Sequence, residues 1–222
     1  METEVKDAPA KVAGPVVART GTAWLPPSMG AALECAADDA GRFALQGVQV
    51  STVGGGLTVT ATDGRRMMRA VYGECESPSD PLRVLLPPDA LAFLTTASKA
   101  LRRDPRAQPT DRVVVLTVAE EPTGRRLLTL ACALTGAQLV TREIDGSFPV
   151  VDNAIPKPEP VSGFVSLGEP LLAGLLKSMR GMAGAPKDRL AVRFCCRGPK
   201  APVRLDYEAG GVAVVGVVMP VA

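Results

Sequence analysis

The residue types that usually carry out chemistry are sparse and badly spaced in this chain. It contains no histidine, which removes the usual general base, the Ser-His and Cys-His nucleophile pairs and the commonest metal ligand. Its five cysteines, Cys35, Cys75, Cys132, Cys195 and Cys196, form no C-x-x-C pair, and an odd number cannot be fully paired within one chain. Cys195 and Cys196 are neighbours in a strand-like run, where successive side chains point to opposite faces, so they do not chelate one ion together. Packing of reduced thiols is the simpler reading. Asp38-Asp39 at a helix end reads as solvated, and no G-x-x-x-x-G-K-[ST] is present to cradle phosphate. The expectation is a binding protein rather than an enzyme, with no catalytic residue, no metal and no cofactor.

The 222 residues allow one or two compact domains, and 46% apolar with 22% charged residues is a globular composition. A net charge of +2 is too small to grip nucleic acid by charge alone, so a polyanion must meet a local patch. No stretch approaches the roughly 18–20 apolar residues that span a bilayer, and METEVKDAPAKVAGP is unlike a signal peptide. The expectation is a cytoplasmic location without a membrane partner. Residues 1–22 read as an N-terminal arm or an extra edge strand.

The elements that must position any site repeat along the chain. The first passage has a helical run (Met29 to Ala40), then FALQGVQV, LTVTATDG and RRMMRAVYGE. The second opens with RVLLPP, has a helix from about Asp89 to Arg103, and continues with VVVLTV, LLTLACAL and AQLVTREI. The third opens with GFVSLGEP, has a helix from about Pro170 to Met182, and continues with LAVRFCC, PVRLDYE and GVAVVGVVMP. Each reads as strand, helix, then three strands. Pro87-Pro88 suits the start of a helix, and Gly54-Gly55-Gly56, Asp63-Gly64, Thr123-Gly124 and Gly210-Gly211 suit tight turns. Sheets backed by helices on one face follow, an α+β class. Four prolines between Pro149 and Gly163 predict an extended linker. The boundaries expected are an arm at 1–22, a domain at 23–153 and a shorter one at 154–222.

Two helices divide into an apolar and a cationic face. In the second unit Ala90, Leu91, Phe93, Leu94, Ala97 and Leu101 share one arc, with Lys99, Arg102 and Arg103 opposite. In the third, Leu171, Leu172, Leu175, Leu176, Met179 and Met182 share an arc that leaves out Lys177 and Arg180. Each cationic stretch carries a net +3, whereas Met29 to Arg42 carries −2. A solvated face explains any one such helix; two on one side of a sheet can present both patches to one polyanion.

Three segments carry a resemblance: RFALQGVQV with LTVTATDGRRMM at 42–68, IDGSFPVVDNAIP at 144–156, and VVMPVA at 217–222. In order and spacing they resemble the bacterial DNA polymerase III β subunit, the sliding clamp. That family has R-x-x-L-x-G leading into A-T-D-G-x-R, then G-x-F-P-x-x-x-x-x-P, and ends near M-P. The matches are Arg42, Leu45 and Gly47; Ala61 to Gly64 with Arg66; Gly146, Phe148, Pro149 and Pro156; and Met219-Pro220. Arg65 stands where the family usually has His, and Asn153 at a family Arg position.

The resemblance implies the sliding-clamp (DNA clamp) fold, built from repeated β-α-β-β-β units with sheets outside and helices inside around duplex DNA. The chain is similar to the middle domain plus part of the last, three half-units where the family has six. It implies a hydrophobic groove for Q-L-x-L-F-like peptides of DNA polymerase and other clients, lined by Leu45, Thr62, Gly64, Arg66, Met67, Pro149, Ala154, Val217, Met219 and Pro220. Met and Val suit an adaptable apolar floor and Gly64 a close backbone approach. The DNA-facing residues expected are Lys99, Arg102, Arg103, Lys177 and Arg180, with Arg106, Lys187 and Arg189 on adjoining loops. The implied function is a processivity factor that holds double-stranded DNA and tethers polymerase or repair proteins, in a bacterial or phage cytoplasm near the nucleoid, with a clamp loader as a further partner. Three half-units per chain make four copies in a homo-oligomeric ring of twelve. The alternative is a clamp-derived adaptor or regulator that binds the same peptides without encircling DNA.

Overall fold

The computed structural model describes residues 18–52, 56–74, 81–103, 111–157, 165–184, 191–209 and 211–221. Its strands are β1 (Ala18–Leu25), β2 (Val48–Ser51), β3 (Gly56–Thr62), β4 (Arg66–Glu74), β5 (Arg83–Leu86), β6 (Val114–Glu120), β7 (Arg126–Cys132), β8 (Gln138–Arg142), β9 (Arg193–Cys195), β10 (Val203–Ala209) and β11 (Val212–Val218). Its α-helices are α1 (Pro88–Leu101) and α2 (Glu169–Ala183). A four-stranded sheet has the order β1-β6-β7-β8 and a seven-stranded sheet the order β5-β2-β3-β4-β11-β10-β9. All strand pairings among the described residues are antiparallel, which suits strands that bury one face only.

The first two units have their expected element order, and they interleave. β1 of the first unit pairs with β6 of the second, while β5 of the second pairs with β2 of the first. The third unit joins through β11, which runs beside β4 from Val212–Tyr72 to Val218–Arg66. One sheet therefore crosses the 153/154 boundary.

α1 begins at Pro88, whose missing N–H is no loss in a first turn, and the Asp89 carboxylate accepts from the Ala90 amide at 2.8 Å. α2 has Glu169 in its first turn and ends at Gly184, whose φ of +64° stops the helix in the left-handed region. Both place the predicted apolar stripes inward, with Leu91, Leu94, Leu175, Met179 and Met182 fully buried.

Four local expectations need correction. The helix expected over Met29–Ala40 is a 3₁₀ segment, Pro27–Cys35, wedged between α1 and α2. Its small residues set that fit: a Cβ on Gly30 would lie 2.5 Å from Thr95 Oγ1, and one on Gly181 of α2 would lie 2.4 Å from Ala31 Cβ. Tight packing on both flanks, not helix propensity, decides its geometry. FALQ is not strand: Ala40–Gln46 is a second 3₁₀ segment, because Asp39 accepts from the Gly41 amide at 2.8 Å and Leu45 O accepts from Ala37 N at 2.9 Å. Among the described residues, the first strand of the third unit is a single bridge, Leu167 to Pro220. LAVRFCC shrinks to Arg193–Cys195 at a sheet edge.

Of the expected turns, Asp63-Gly64 and Thr123-Gly124 lie in place, with Gly64 at φ +85° and Gly124 at +77°. Gly54, Gly55 and Gly210 fall outside the described residues. Among the described residues no helix is long and apolar enough to cross a membrane.

Candidate peptide groove and helix face

The turn between β3 and β4 is built by its own side chains. Asp63 Oδ1 accepts from the amides of Arg65 and Arg66 at 2.8 and 2.9 Å, and its Oδ2 pairs with Arg66 Nε at 2.9 Å. Thr62 Oγ1 accepts from Gly64 N at 3.0 Å and donates to Arg66 O at 2.8 Å. Arg42 then reaches across to donate to Asp63 O at 2.7 Å, and a Cβ on Gly64 would stand 2.9 Å from that guanidinium. Thr62, Asp63, Gly64, Arg66 and the distant Arg42 thus form one hydrogen-bonded unit, which accounts for their joint appearance in the sequence.

Beside this turn the register of β4 and β11 sets Met67 directly opposite Val217. Met219 N continues the ladder by donating to Arg65 O at 3.0 Å. Below them a second apolar cluster gathers Met67, Leu85, Ile144, Phe148, Val151 and Val217. Phe148 is the anchor that folds the chain after β8 onto this cluster, and Arg69 holds Asp152 at 2.6 Å. Arg204 donates to Pro156 O at 2.8 Å, which fixes the far end of that segment.

These elements enclose a cavity of about 770 Å³. Nine of the ten expected groove residues line it: Leu45, Thr62 and Gly64; Arg66 and Met67; Pro149 and Ala154; Val217 and Met219. Pro220 lies off the wall, in the bridge to Leu167. Met67 and Val217 are each 5% exposed and form the base, whereas Met219 is 44% exposed at the rim. Sequence reasoning missed the far wall, Arg197, Ala201 and Pro202, and also Val150 and Val151. The 197–202 residues come from a turn between β9 and β10, and only the folding of that hairpin onto β11 brings them here.

The expected DNA-facing residues separate. Lys99, Arg102 and Arg103 are exposed together at the end of α1. Lys177 on α2 is exposed but pairs with Glu34 of the 3₁₀ segment at 2.6 Å. Arg180 is half-buried, and its buried Nε has no hydrogen-bond partner among the described residues. Arg106, Lys187 and Arg189 lie outside the described residues.

Burial acts on two titratable side chains, Cys35 and Tyr72. Cys35 is buried, which pushes its thiol up to about 11 against the opposing effects of the Ser178 hydroxyl and the Arg66 charge. Burial also raises the Tyr72 phenol, whose hydroxyl donates to Met182 O at 3.2 Å. Among the described residues no group of three or more cysteine, aspartate or glutamate side chains is placed to hold a metal ion.

Comparison by sequence finds no matching protein-family model and no matching curated protein. Comparison by structure is decisive for the fold. The DNA polymerase III subunit beta of Pseudomonas aeruginosa superposes with a TM-score of 0.63 at 17% identity, over 97% of this chain and 69% of that one. This chain has the bacterial sliding-clamp fold. A Pseudomonas aeruginosa sliding clamp bound to griselimycin matches with a TM-score of 0.61 at 14% identity, over 97% of this chain and 68% of that one. The Helicobacter pylori β clamp bound to a DNA ligase peptide gives 0.58 at 14% identity, over 95% and 68%. As a clamp fold, the interleaved units form its paired sheets, and α1, the 3₁₀ segment and α2 form its helix layer.

Proposed function

We propose that this protein is a clamp-type tether: it takes short apolar client peptides in the groove between β4 and β11 and holds its clients at duplex DNA. The observation that carries the reading is the groove. Nine residues chosen from sequence resemblance, spread from Leu45 to Met219, line one cavity whose base is apolar and whose rim is open. Residues that merely filled a core would leave no such cavity, because interiors close to crystal-like density. A Helicobacter pylori clamp of the same fold carries a DNA ligase peptide, which supports a peptide as occupant here.

The exposed Lys99, Arg102 and Arg103 supply the DNA contact in this reading. A sliding protein needs weak positive lining, since each neutralised phosphate adds salt-dependent affinity. No step of bond making is assigned to any residue.

A second reading, the adaptor that does not encircle DNA, is favoured by α2, where Glu34 offsets Lys177 and Arg180 is half-buried. Retention on nicked circular plasmid, lost when the plasmid is linearised, supports the encircling tether. Equal behaviour on both, with Q-L-x-L-F peptide still bound, supports the adaptor. Loss of both activities refutes the reading.

A further inference from the structure

We infer that the groove selects client peptides with acidic residues beside their apolar anchors. The inference rests on the groove reading and adds the charge of the occupant. Three arginines, Arg65, Arg66 and Arg197, line the cavity, and no aspartate or glutamate among the described residues does. Asp63 offsets Arg66 at 2.9 Å, and Asp152 and Asp206 pair outside the lining, with Arg69 at 2.6 Å and Arg204 at 2.8 Å.

Arg65 is the residue on which selection turns. It is exposed on the rim, and among the described residues its side chain has no ion pair. Its backbone is held on both sides, by Asp63 Oδ1 at the amide and by Met219 N at the carbonyl. The backbone of Arg65 is therefore fixed beside Met219, the apolar rim residue, and its cation is carried at that rim. Arg197 is exposed on the far wall. A peptide that seats its apolar side chains on Met67, Val217 and Met219 brings its neighbouring residues against this positive rim. Carboxylates there gain attraction in a partly dehydrated setting, and lysines are repelled. A phosphate-rich polymer fits worse, because it has nothing to bury on the apolar base.

The test uses three fluorescent peptides with one Q-L-x-L-F core and Glu-Glu, Gln-Gln or Lys-Lys flanks, titrated with the full chain by anisotropy at low and high salt. The Glu-flanked peptide is expected to bind about fivefold tighter than the Gln-flanked one at low salt, with the gap closing at high salt and the Lys-flanked peptide weakest. In Arg65→Gln the Glu/Gln affinity ratio shrinks toward one. Equal binding of the Glu- and Gln-flanked peptides overturns the inference and leaves the groove standing. Failure of all three peptides to bind overturns both.

Discussion

Met219 allows the groove to be tested without disturbing the fold. Its side chain is 44% exposed, so a peptide seated on it removes about half of the side chain from water. Full burial of a methionine is worth about 1.5–3 kcal/mol, so the part still available to a ligand is worth about 0.7–1.3 kcal/mol. Met219→Ala should then weaken a Q-L-x-L-F peptide about threefold to tenfold, with a melting temperature close to that of the parent, because the rim side chain adds little to folding. Met67→Ala acts differently. Met67 is 5% exposed, stands opposite Val217 and belongs to the buried cluster that includes Phe148, so its truncation costs folding about 2–3 kcal/mol and lowers the melting temperature by several degrees. Anisotropy titration paired with thermal melting separates the two effects. Parent-like affinity in Met219→Ala, with the peptide bound to the parent, would refute the assignment of this rim to the binding surface.

Reversal of Lys99, Arg102 and Arg103 to Glu should abolish most DNA retention and flatten its salt dependence, measured on immobilised circular DNA; unchanged retention places the DNA elsewhere. Gly181→Val puts side-chain atoms where Ala31 Cβ already sits, 2.4 Å from the new Cβ, and should destabilise the fold by about 1–3 kcal/mol in urea melts. Stability should hold to about pH 9 and fall as the pH rises toward 11. Cys35 titrates at 9.0 when exposed and near 11 when folded, so the unfolded chain releases its proton first and alkali favours unfolding. Urea midpoints across that range check the sign, and a midpoint that rises with pH contradicts it.

Much of the fold was legible before the tertiary structure. The stripe of Leu171, Leu175, Met179 and Met182 has one helical period whatever it packs on, and Pro88 punctuates the start of its helix through backbone geometry alone. The absence of histidine likewise bounded the chemistry. Local pattern failed where packing outweighs propensity: the Pro27–Cys35 segment is squeezed between two helices, and Ala40–Gln46 is curled by Asp39 and by the reach of Arg42 to Asp63 O.

The sequence by itself determined the class of elements, the inward faces of the helices and the turn at Asp63-Gly64. Those properties depend on residues a few positions apart, whose relations are set by backbone geometry. Only the tertiary structure decided that Val217 stands opposite Met67, that Arg197 and Pro202 close the far wall, and that Glu34 meets Lys177. Each joins residues distant in the chain, and such contacts follow from sheet register and helix packing, which no local spacing encodes.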